Sequence, residues 1–135
     1  MLASPLIAGN DIRSMSKETA AILTNKAVIA LNQDPLGVQA FKYATRDGVE
    51  YWFKPLENGD WGFMALNRNK DARKVSFDWK KEIVNDDLSK RDAAFGKTRY
   101  SLQNLWTGRA AGNTGKALTA DLPGHDVLVL RLSVR

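Results

Sequence analysis

Two hydrophobic periods divide the chain. From Ser16 to about Gln33, apolar residues recur at spacings of three and four: Ala20, Ala21, Leu23, Ala27, Val28 and Leu31. That spacing gathers them on one face of a helix. Ser16 carries an N-cap side chain, and Glu18 falls in the first turn, where negative charge favours the helix dipole. Thr24-Asn25 breaks the segment into two short helices, with Asn25 capping the second, and Pro35 and Gly37 end it. Ahead of it, "PLIAG" from Pro5 to Gly9 is a short apolar run bounded by turn residues. Such a run reads as a strand buried on both faces, as in the middle of a parallel sheet. Strand, loop and helix over 5–33 spell a closing half-unit of an alternating α/β architecture, which needs earlier strands to pair with.

After Gly37 the period becomes two. In "KVSFDW", Val75, Phe77 and Trp79 point one way, and Lys74, Ser76 and Asp78 the other. Near the end, Leu128, Leu130, Leu132 and Val134 line one face and Val127, Val129 and Arg131 the opposite one. Further strands are expected at 38–45, 49–56, 61–68, 99–106 and 117–122, separated by the turn signals "RDG", "ENGD", "NKDA", "TGRAAGNTG" and "LPGHD". Short strands at this spacing predict an antiparallel β-sandwich. "WKKEIVNDDLSKRDAAF" is the least strand-like stretch and reads as a polar insertion with some helix. The expected organisation is a strand–helix remnant over 1–36 and a sandwich over 37–135.

Composition changes this picture little. The 135 residues suffice for about one domain, and 44% hydrophobic residues can supply its core. The chain has no cysteine, which removes disulfides, thiolate metal sites and a cysteine nucleophile. No apolar stretch approaches a membrane span, and the first residues lack a basic leader followed by a hydrophobic segment. The net charge is +5, but Lys and Arg are interleaved with acids, as in "KKEIVNDDLSKRD". A nucleic-acid groove binder would show a basic stripe, so a solvated mixed surface is expected instead.

"SPLIAGNDIRSMSKETAAILTNKAVIALNQDPLG" resembles the last strand and last helix of the catalytic (β/α)8 barrel in glycoside hydrolase family 27 α-galactosidases. Asn32 to Gly37, "NQDPLG", is similar to that family's junction into its C-terminal domain. "NGDWGFMALNR", "LQNLWTG" and "HDVLVLRL" resemble pieces of its C-terminal β-sandwich, in the family's order. Ala27 and Asn104 depart from the acidic residues usual there, and Lys80 to Lys97 matches no family pattern. The resemblance implies that Pro5–Gly9 is the eighth strand of a barrel whose first seven strands lie outside these residues.

The same resemblance implies a retaining glycosidase, which needs two carboxyl groups about 5–5.5 Å apart, one as nucleophile and one as acid/base. In the family both are aspartates on earlier barrel strands, in motifs such as Lys-Tyr-Asp that are absent here. Among this chain's own acids, Asp86 and Asp87 fall in a polar stretch beside Lys90 and Arg91, with nothing apolar to raise one pKa. Asp11 follows the carboxyl end of the expected strand, the face where barrels place active sites, yet Asn10-Asp11 reads first as a loop and cap. His125 is the sole histidine, without partners at metal-ligand spacing. "GNTGKA" at 112–117 is an incomplete phosphate-loop match between strands and reads as a hairpin. Trp79 and Trp106 alternate with apolar residues and read as core. Trp52 and Trp61 read as core or interdomain packing ahead of glycan contact, which stays open.

The expectation is therefore the C-terminal part of an α-galactosidase, without catalytic residues, cofactor or metal in this chain. Its role would be that of an accessory, stabilising sandwich. Its partner would be the remainder of the catalytic barrel or another copy, with a galactoside as ligand of the parent enzyme and neither nucleic acid nor membrane involved. The alternative is a stand-alone carbohydrate-binding module. Residues 5–9, without their barrel, are expected to fold back on the sandwich, pair with another copy or be disordered.

Overall fold

The computed structural model describes residues 1–134. Two short helices, α1 (Lys17–Leu23) and α2 (Lys26–Asn32), precede the strands. The Ser16 hydroxyl accepts from Thr19 N at 3.1 Å, capping α1. Asn25 Oδ1 accepts from Ala27 N at 3.0 Å and Val28 N at 3.1 Å, which starts α2 and separates the two helices. Both caps follow from short polar side chains that satisfy otherwise unpaired first-turn N–H groups.

The strands are β1 (Phe41–Arg46), β2 (Val49–Pro55), β3 (Trp61–Asn67), β4 (Arg73–Phe77), β5 (Ile83–Asp86), β6 (Arg91–Ala94), β7 (Tyr100–Asn104), β8 (Ala110–Asn113), β9 (Leu118–Leu122) and β10 (Val127–Val134). Six form one antiparallel sheet in the order β1-β2-β3-β10-β7-β8. The ribbon β4–β9 and the hairpin β5–β6 contribute the opposing layer. Asp47 and Gly48, both at positive φ, make the tight turn between β1 and β2, the conformation whose twist suits a two-residue hairpin.

Between the layers lies an aromatic core. Tyr51, Phe53, Trp61 and Phe63 of the large sheet meet Phe77, Trp79 and Phe95 from the other side, all at most 3% exposed. Phe63 and Phe77 each pack edge-on to Trp79, with centroids 4.9 and 4.8 Å apart. Edge-to-face geometry of this kind adds to the burial of the rings.

Three segments depart from the sequence expectation. Trp79 to Phe95, expected as a polar insertion with some helix, forms the β5–β6 hairpin after a single 3-10 turn, Trp79–Lys81. Its period-two pattern is real, with Val84 and Ala93 buried, but Asp86 occupies an inward position and hides it. Ala110–Asn113, expected as a turn, adds an edge strand to β7. Pro5–Gly9, expected as a doubly buried strand, forms no strand, because none of the described strands lies alongside to complete its ladder. Residues 5–9, expected to fold back on the sandwich, pair with another copy or be disordered, are exposed; the residues ahead of them are tied back, Met1 O accepting from Ala40 N and Ser4 O from Asn32 Nδ2.

Candidate functional site

Helix α2 sits on the outer face of the large sheet. Leu31, with Val28 three residues earlier, joins Leu56, Leu105 and Val129 in a second, smaller apolar cluster. The approach is close because Gly62 lies beneath it: a Cβ there would stand 2.7 Å from Leu31 Cδ1. Asn25 Nδ2 reaches the sheet as well, donating to Leu105 O at 3.1 Å.

The connection after α2 is fastened by two buried polar groups. Asp34 is 8% exposed, and its Oδ1 accepts from Leu36 N at 3.1 Å and Glu57 N at 2.8 Å, joining the connection to the β2–β3 loop. Lys54, fully buried on β2, donates to Val38 O. Burial pulls the Lys54 pKa below the usual lysine range, and the Asp34 charge partly opposes this. Chain from the 34–38 connection covers Lys54, a burial that no local pattern around it announces.

Helix α1 buries no residue. Leu6, Ile7, Ile12, Ile22 and Leu23 are all exposed, Ile7 by 90%. Together with Leu2 they concentrate apolar surface on the part of the chain that precedes the sandwich.

A cleft of about 640 Å³ opens where α1 meets the edge of the sandwich. Ala120, Leu122, Val127 and Leu128 are among the residues that line it, together with Ile22, Trp106, Asn104, Asp121 and Asp126. Trp106 is 37% exposed, which corrects its expected place in the core. The alternation from Tyr100 and Leu102 stops at Asn104, where β7 ends. There Asn104 Oδ1 accepts from Trp106 N at 2.9 Å and Thr107 N at 3.2 Å, turning the chain and carrying the indole outward. Trp61, read as core or interdomain packing ahead of glycan contact, is 1% exposed and belongs wholly to the core. Trp52 is half-buried, its Nε1 donating to Glu50 at 3.1 Å.

The other candidates hold local structure. Asp11 is exposed and accepts from Arg13 N and from its guanidinium, all at 3.0–3.1 Å, and that side-chain bond lowers its pKa. Asp86, expected in a solvated loop, is 5% exposed and accepts from Ser89 N and Oγ, while Asp87 is exposed. His125 adopts a left-handed φ of 57°, and its N–H donates to Asn69 O at 3.0 Å. In the "GNTGKA" turn, Thr114 Oγ1 accepts from Tyr100 N at 3.0 Å and Asn113 Oδ1 from Gly115 N at 2.9 Å. Among the described residues, no group of three His, Asp or Glu side chains could hold a metal ion.

Two family models match the sequence: the alpha galactosidase C-terminal beta sandwich domain over residues 46–132, and alpha galactosidase A over residues 1–34. Alpha-galactosidase A of Cellvibrio japonicus is 47% identical over 134 residues, covering 99% of this chain and 33% of the relative. Alpha-galactosidase of Oryza sativa subsp. japonica is 33% identical over 123 residues, covering 91% of this chain and 27% of the relative. The crystal structure of alpha-galactosidase I from Mortierella vinacea superposes with a TM-score of 0.78 at 27% identity, over 98% of this chain and 33% of that one. The chain thus spans between about a quarter and a third of the length of these relatives. Family model, sequence identity and superposition agree: this chain belongs to the α-galactosidase family and carries its C-terminal β-sandwich domain.

Proposed function

We propose that this chain is the accessory, stabilising sandwich of an α-galactosidase that hydrolyses terminal α-galactosyl residues, with the catalytic carboxyl pair outside these 135 residues. The joint between α2 and the sheet carries this reading. Leu31 over Gly62, Asp34 on two backbone N–H groups and Lys54 on Val38 hold the helix and the sandwich as one body. A sandwich fastened in this way braces whatever continues from the helix. The exposed apolar side chains from Leu6 to Leu23 supply the contact for that partner, the remainder of the catalytic barrel.

The chain's own acids support the same reading. An acid/base carboxyl needs an apolar setting that keeps it protonated near neutral pH. Asp11, Asp87, Asp121 and Asp126 are all exposed, and buried Asp86 is committed to Ser89.

The test is hydrolysis of a chromogenic α-galactoside by the purified chain, with the Cellvibrio japonicus relative as positive control. No turnover above background is expected. A second arm adds the chain to that relative expressed without its matching C-terminal third and follows thermal inactivation. Slower inactivation supports bracing, and an unchanged rate counts against it. Turnover that survives repurification and is lost in Asp11→Asn or Asp121→Asn would overturn the placement of catalysis.

A further inference from the structure

Three cations that the fold leaves unpaired meet in a small cavity where the chain passes from β6 to β7. Lys80, Lys97, Thr98 and Arg99 line it, and no acidic side chain does. All four are exposed, and among the described residues none of their side chains has a hydrogen-bond or ion-pair partner. The neighbouring Lys81, by contrast, is paired with Asp78 at 3.3 Å. No residue of α1, α2 or the segment ahead of them lines the cavity, so it lies apart from the surface assigned above to the barrel.

Local structure holds the cations in place. Lys97 N and Thr98 N both donate to Ala94 O, at 2.9 and 3.0 Å, which closes the turn after β6. Buried Phe95 anchors that turn in the aromatic core. Beside Arg99, Tyr100 N donates to Thr114 Oγ1 and Tyr100 O accepts from Thr114 N, both at 3.0 Å, which brings Gly115 alongside. Two glycines permit the close approach. A Cβ at Gly96 would stand 3.1 Å from Lys80 O, and one at Gly115 would stand 3.2 Å from Arg99 Nε.

Like charges gathered in one concavity, without counter-charge, raise the local concentration of anions. The space is about 110 Å³, well below the roughly 300–1,000 Å³ of sites that enclose a drug-sized ligand. It therefore suits one anionic group and not a whole sugar or nucleotide. Arg99 alone would neutralise a carboxylate. A doubly charged tetrahedral oxyanion uses the planar fork of Arg99 and the point charges of both lysines, and the Thr98 hydroxyl can donate to a further oxygen.

We propose that Lys80, Lys97, Thr98 and Arg99 form a binding site for a phosphate or sulfate group, free or at the end of an ester. The site is independent of the bracing role above, because it needs only the folded chain.

The test is titration of the intact chain, labelled with nitrogen-15, at constant ionic strength. Inorganic phosphate, inorganic sulfate and glucose 6-phosphate are added in turn, with chloride as the control anion. The amides of Gly96, Lys97, Thr98, Arg99 and Gly115 are expected to shift and saturate with at least one of the three, and not with chloride. Tighter binding of glucose 6-phosphate than of inorganic phosphate identifies an ester as the occupant, and the reverse identifies the free ion; either supports the site. Arg99→Gln is expected to weaken binding about tenfold, through loss of the charge-assisted fork. The double variant Lys80→Gln/Lys97→Gln is expected to weaken it by a similar factor. Lys17→Gln, which lowers the net charge on a remote helix, is expected to leave it unchanged. No saturable shift into the tens of millimolar, equal affinity in folded Arg99→Gln, or an equal loss in Lys17→Gln would each overturn the proposal.

Discussion

The guanidinium of Arg46 forks onto the carboxylate of Glu82, Nη1 to Oε1 at 2.6 Å and Nη2 to Oε2 at 3.0 Å. Arg46 ends β1 of the large sheet, and Glu82 precedes β5 in the opposing layer, so the pair ties the two layers at their rim. The Tyr43 hydroxyl donates to the same carboxylate at 2.6 Å, and the guanidinium lies 5.5 Å from the Phe77 centroid. Glu82 itself is 8% exposed, so its charge depends on these partners.

Loss of that carboxylate should be felt in acid. The Arg46 guanidinium holds the Glu82 pKa below the usual range, with the Tyr43 hydroxyl adding to it. A carboxyl with a lowered folded pKa stabilises the fold above its unfolded value, near 4.3. That stability is lost as pH falls through the folded value. Glu82→Gln should cost about 1–2 kcal/mol at neutral pH. It should also flatten the fall in stability below about pH 4. Urea midpoints of both proteins across pH 2–7 check this.

At the alkaline end the same cluster acts through Tyr43, whose pKa is pushed up to about 12 by burial and by the Glu82 carboxylate. Between the unfolded tyrosine value, near 10, and that raised value, the unfolded chain loses its proton first. Stability therefore falls as pH rises through this window. Tyr43→Phe should shrink that fall, leaving the part contributed by Tyr51 and Tyr100, whose pKa values burial also raises. Guanidinium midpoints from pH 8 to 12 for the two proteins decide it.

The Leu31–Gly62 contact predicts a coupled pair. Gly62→Ala places a methyl group 2.7 Å from Leu31 Cδ1 and should cost about 1–3 kcal/mol. Leu31→Ala should cost about 2–3 kcal/mol, the small cluster allowing partial collapse. The double variant should cost less than the sum, because removing Leu31 vacates the space the new methyl enters. Additive costs in a thermal-unfolding cycle would mean that the helix does not rest on Gly62.

Two tryptophans should behave oppositely. Trp79 is fully buried in the aromatic core, and Trp79→Ala should cost about 3–5 kcal/mol. Trp106→Ala, at a position 37% exposed, should cost less than about 1 kcal/mol. Chemical denaturation of the two variants distinguishes them directly.

Local chemistry was legible wherever a residue's partners lie within a few positions. Ser16 and Asn25 cap their helices by bonding N–H groups two or three residues on, so the helix starts could be read from side-chain type and spacing. Alternation marked β4 and β10 because their inward residues are apolar. It failed at β5, where inward Asp86 holds the turn through Ser89. Resemblance reached the family because its motifs recur in order along the chain.

The sequence by itself thus determined the elements whose signal is periodic or local, and with them an antiparallel sandwich behind a helical segment. Tertiary structure alone decided which faces are covered. Trp61 went into the core and Trp106 out of it, though both stand at strand ends beside turns. Lys54 became buried because distant chain lies over it. Pro5–Gly9, as apolar as a central strand, formed none. Burial and strand pairing depend on residues far away in sequence, and no local period encodes whether those neighbours are there.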